Sequence, residues 1–148
     1  MKAYKFFIAF AALFGLIAVV MSTISAHGGE HDTSWIASFC EPCSNLSTQA
    51  IEYLNKGVQL TFYNISGLLT VGVLASLHRN YKSSLLKLSG VFFTLGILLF
   101  CGSLFATALT GNATFTKLTP FGGGSFLLAW FLLFFFAITR KNPGKGDT

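Results

Sequence analysis

Four long apolar runs, residues 6–24, 58–77, 88–110 and 121–138, alternate with short polar stretches along the chain. Each is close to the roughly 20 apolar residues that a helix needs to cross a hydrocarbon core about 30 Å thick. No Asp, Glu, Lys or Arg lies inside any of them. Backbone groups in lipid must be hydrogen-bonded within their own segment, and these runs lack the apolar/polar alternation of barrel strands. The pattern therefore predicts an all-α integral membrane four-helix bundle. It forms a single membrane domain over residues 1–148, with helices at about 6–26, 48–78, 84–110 and 120–140 and a polar loop at 27–47. Ser47 is placed to cap the second helix, and Ile51, Leu54, Val58 and Phe62 repeat at helical spacing, so this helix begins above the membrane.

Composition agrees with the pattern. Of the 148 residues only 10% are charged, against about 25% in soluble domains, and 17 are Phe. That much aromatic surface has its natural sink in the bilayer. Charge then orients the chain, because cytoplasmic loops keep Lys and Arg. Lys2 and Lys5 precede the first helix; Arg79, Lys82 and Lys87 lie between the second and third; Arg140, Lys141 and Lys145 follow the fourth. Lys56 and Lys117 fall on the other side with Glu30, Asp32, Glu41 and Glu52. Both termini are thus expected to be cytoplasmic and the 27–47 loop extracytoplasmic. Topology explains the net charge of +5, so no nucleic-acid partner is expected. The first run also has features of a secretory signal peptide, with Lys2 and Lys5 ahead of it and Ser22, Ser25 and Ala26 behind. At about 19 residues it exceeds the usual apolar region of roughly 7 to 15, and it is read as a retained helix.

Candidate chemistry is confined to the 27–47 loop and to polar residues inside the spans. His27 and His31 are followed by Cys40 and Cys43, and imidazoles and thiolates at such spacings can hold Zn or Cu. The preferred reading, on an extracytoplasmic face, is a disulfide between Cys40 and Cys43 or a pair of free thiols. Cys101 is read as a small apolar residue and His78 as a charge at a helix C-terminus. Gln59, Thr61, Tyr63 and Asn64 lie in the first turns of the second span. Interhelical hydrogen bonding is preferred over a polar pathway, since no intramembrane acid or base accompanies them. In the third span Gly102 with Ala106, and Ser103 with Thr107, form two small-residue pairs suited to close packing within the bundle. Pro120 suits a first helical turn, followed by Gly122, Gly123 and Gly124, and no strand precedes them to make a phosphate loop. Three N-x-[ST] matches, at Asn45, Asn64 and Asn112, are read as chance.

One family resemblance rests on the second half of the chain. The run from Phe100 through Gly102, Ser103, Leu104, Ala108, Leu109, Thr110 and Gly111 is followed by Leu118-Thr119-Pro120, Gly122-Gly123 and Ala129-Trp130. This resembles the C-terminal signature of domain of unknown function family 423, which covers YgdD-like bacterial inner-membrane proteins and eukaryotic transmembrane protein 256. Upstream, Ser25-Ala26-His27 and Gly57-Val58-Gln59 with Tyr63-Asn64 are similar to two further family segments. The chain departs from the pattern in carrying Asn64 at the family's membrane His, Cys101 for a Ser, Ala129 for a Gly, and Ser22 and Ser25 for glycines. The Cys40–Cys43 segment resembles an insertion. The resemblance implies four helices with both termini inside, in the inner membrane of a bacterium or of a mitochondrion, and no established activity. The expected role is that of a non-enzymatic accessory subunit packing against other membrane proteins, such as a respiratory assembly, with no resident cofactor. A small homo-oligomeric transporter or channel is the alternative, and metal handling through His27, His31, Cys40 and Cys43 a third.

Overall fold

The computed structural model describes residues 3–27, 38, 43, 46–77 and 84–139. Helix α1 is Ala3–His27 and α2 is Thr48–Leu77. Helix α3, Ser84–Thr110, runs as α-helix over Ser84–Gly96, widens to one π-helical stretch at Ile97–Cys101, and resumes as α-helix over Gly102–Thr110. A 3-10 turn, Ala113–Leu118, leads into α4, Thr119–Thr139. Each of the four helical segments is long and apolar enough to cross a membrane, and the described residues contain no strand.

Local chemistry sets the helix ends. The Ser47 hydroxyl accepts the Ala50 N–H at 3.2 Å and its carbonyl accepts the Ile51 N–H at 3.0 Å, which starts α2. Gly111 ends α3 with a left-handed φ of 68°, its N–H donating to the Thr107 carbonyl at 2.9 Å. Asn112 then caps the 3-10 turn, its Oδ1 accepting the Thr114 N–H at 2.9 Å.

The register is antiparallel from each helix to the next. Along α1 and α2, Ile8 meets Gly72, Gly15 meets Ile65 and Ser25 meets Asn55. Along α2 and α3, Gly57 meets Phe105 and Gly67 meets Phe93. Along α3 and α4, Ser89 meets Ala129, Gly96 meets Phe126 and Phe100 meets Gly122. Two hairpins, α1 with α2 and α3 with α4, thus join through the α2–α3 contact. The core runs along that seam through Leu54, Leu68, Val71, Phe93, Ile97 and Cys101, all fully buried. A lipid solvent removes the hydrophobic drive for helices to associate, so close approach must come from shape. Rings fill the positions that glycines leave open: a Cβ on Gly67 would stand 2.6 Å from the Phe93 ring, and one on Gly90 would stand 2.6 Å from Phe7.

Candidate functional site

Inside the bundle the polar side chains form cross-links between helices. Asn64, on the inward face of α2, donates from Nδ2 to the Leu60 carbonyl at 2.8 Å and accepts the Trp130 indole N–H on Oδ1 at 3.2 Å. The Trp130 ring also meets Phe93 edge to face at 5.1 Å, so one indole ties α4 to both α2 and α3. Nearer the α3–α4 turn, the Ser103 hydroxyl donates to the Phe100 carbonyl at 2.8 Å and stands 3.0 Å from the Thr119 hydroxyl. A hydroxyl has one proton, so Thr119 is the donor in that pair. At the level of Leu86 to Phe93, Ser89 donates to the Ala129 carbonyl at 2.8 Å. Between α1 and α2, Ser25 donates to Asn55 Oδ1 at 2.8 Å. Among the described residues no buried side-chain N or O atom lacks a hydrogen-bond partner.

The residues singled out by sequence divide into three sets. Asn64 and Trp130 are brought together, as are Ser103 and Thr119. Gly122 belongs with them, because a Cβ there would sit 2.5 Å from the backbone N of Phe100, on the π-helical turn of α3. A second set builds the turn: Thr110 accepts the Asn112 N–H at 3.3 Å, Gly111 takes the left-handed conformation, and Pro120 lies in the first turn of α4. A third set faces outward. Nothing lies within 4 Å of a Cβ built on Gly102, a Cβ on Gly123 would reach only the rim of Phe100 at 3.8 Å, and Gln59 is exposed. The four polar residues at the start of the second span are thus split by helix phase. Thr61 and Asn64 are buried, whereas Gln59 and Tyr63 lie on the outer surface.

The His/Cys loop is described only in part. His27 is exposed at the end of α1; Cys43 is fully buried and disulfide-bonded; His31 and Cys40 lie outside the described residues. Among the described residues no three His, Cys, Asp or Glu side chains come together. Cys101 is a free, buried thiol. Sequence reasoning missed Ser25, Ser89 and the π-helical turn as parts of the packing. A serine beside Gly90 was the one signal for Ser89.

The comparisons with known proteins point the same way as this architecture. Residues 21–123, well over half the chain, match the model of the family described as protein of unknown function (DUF423). The UPF0382 membrane protein of Haemophilus influenzae is 27% identical over 136 residues, covering 92% of this chain and 96% of its own length. The UPF0382 inner membrane protein YgdD of Escherichia coli K12 is 29% identical over 140 residues, 95% of each chain. A UPF0382 membrane protein of Staphylococcus saprophyticus is 31% identical over 132 residues, 87% of this chain and 93% of its own. No solved structure matches. Four helices able to span a bilayer and relatives named as inner-membrane proteins place the chain in an inner membrane as a multi-pass protein. The chain belongs to the DUF423 family of membrane proteins of unknown function.

Proposed function

We propose that this protein is a non-enzymatic structural or accessory membrane subunit that packs against other membrane proteins. One observation supports that reading above transport. Among the described residues every buried side-chain N or O atom is used in a bond that ties helices together or closes on its own backbone. An ion or proton pathway normally carries an intramembrane acid or base. Among the described residues the buried polar side chains are Ser, Thr and Asn.

Native mass spectrometry after mild detergent extraction tests the proposal. A stable heteromeric complex is the expected result. Substrate or ion flux in vesicles reconstituted with the purified protein alone would replace this reading by transport. Stoichiometric Zn or Cu on the purified chain would instead favour the His27, His31, Cys40 and Cys43 loop as the working part.

A further inference from the structure

Helix α2 carries polar residues on two faces, and the outer one is exposed. Glu52, Lys56, Gln59, Tyr63, Ser66 and Thr70 are all exposed. Their successive spacings of four, three, four, three and four residues average 3.6, so they form one stripe along the helix. Most of this stripe lies deep in the membrane. Ile65 faces Gly15, the midpoint of α1. Tyr63 and Ser66 are within two residues of that level and Gln59 and Thr70 within six, which is about 9 Å at 1.5 Å per residue. All four therefore fall inside a half-core of about 15 Å.

Lipid tolerates some of these groups and not others. Ser66 and Thr70 close their hydroxyl protons onto their own helix, at 2.6 Å to the Tyr63 carbonyl and 2.8 Å to the Ser66 carbonyl. Gln59 donates one N–H to the Tyr63 hydroxyl at 3.1 Å. Among the described residues its Oε1 has no donor and the Tyr63 hydroxyl proton has no acceptor, and Tyr63 is 58% exposed. A carboxamide and a phenol facing hydrocarbon with open bonding positions are costly. A protein surface with matching polar groups at the same depth removes that cost.

We propose that the occupant is the same face of a second copy of this chain. Two copies inserted with one topology bring each residue to its own counterpart at equal depth. A glutamine amide and a tyrosine hydroxyl each both donate and accept, so each complements itself. Glu52 and Lys56, joined at 2.7 Å within one helix, cancel in charge, so the stripe carries no net charge that would repel a second copy. A single self-complementary face closes as a two-fold dimer. This inference does not depend on the accessory-subunit reading.

Oxidative cross-linking in native membranes tests it. Ser66→Cys is introduced into the full chain, whose Cys101 is buried and whose Cys43 is already disulfide-bonded. Leu127→Cys on α4 and Leu16→Cys on α1, 75% and 64% exposed, serve as controls on other outer faces. Ser66→Cys should give a homodimer band, and the controls should not. Adding Gln59→Leu should cut the cross-linked fraction about tenfold, through loss of a polar contact made by both copies. Equal cross-linking at all three positions, no homodimer at Ser66→Cys, an adduct only with a different protein, or cross-linking undiminished by Gln59→Leu would each overturn the proposal.

Discussion

Gly122 and Asn64 are the positions where one side chain decides the packing of α4. A methyl on Gly122 meets the Phe100 backbone, which cannot rotate away as a ring could. Gly122→Ala should therefore destabilise the bundle by about 1–3 kcal/mol, whereas Gly124→Ala, which meets nothing within 4 Å, should be neutral. Unfolding midpoints in mixed detergent micelles would show the contrast; equal midpoints would contradict it. Asn64→Leu leaves the Trp130 N–H without its acceptor, at a cost of about 1 kcal/mol. Asn64→His restores a nitrogen acceptor at this place, and should recover part of that loss in the same assay. Polarity at these depths was legible in the sequence, but direction was not. Gln59, Thr61, Tyr63 and Asn64 look equivalent in a hydropathy trace, and only the phase set by Gly57 and Gly67 against the rings of α3 turns two of them inward. Ser89 was ambiguous for the same reason, since Ser66 has identical chemistry and faces out.

At the scale of elements, the spans could be read because charge is excluded from them and lipid forces internal hydrogen bonding on each segment. The start of α2 could be read because Ser47 suits a cap, whereas Gly111 carried only the family resemblance and its left-handed stop comes from the structure. Gly111→Ala should cost about 1–2 kcal/mol, because a side chain there opposes the left-handed backbone that directs the chain from α3 into the 3-10 turn. Thermal unfolding of the variant beside Gly102→Ala, whose backbone is ordinary helix and whose Cβ meets nothing, isolates the conformational term. The π-helical turn at Ile97–Cys101 could not be read, since its residues are ordinary apolar ones. It coincides with the place where the Phe100 backbone meets Gly122, and the Ser103 hydroxyl closes onto the Phe100 carbonyl there.

For the whole molecule, the antiparallel register brings the start of α1, the end of α2 and the start of α3 to one side, where Phe7 meets Gly90 and Ile8 meets Gly72. Lys5 and Lys87 lie at that end, while Lys117 lies in the turn at the other. With the positive-inside bias, we propose that both termini are cytoplasmic. Membrane-impermeant thiol labelling of Thr116→Cys in intact cells should succeed, and labelling of a cysteine added after Thr148 should require permeabilised cells; the reverse pattern would invert the topology. The four-helix design was therefore accessible from hydropathy and charge, whereas the pairing of the two hairpins needed the shapes of Phe93, Phe105 and the glycines opposite them. Trp130 joins these scales. The chain has two tryptophans, and Trp35 lies outside the described residues. In a Trp35→Phe background the remaining indole, held by an amide oxygen on α2 and a ring edge on α3, becomes a built-in optical gauge: its emission colour tracks whether the fourth helix is seated, without any added label.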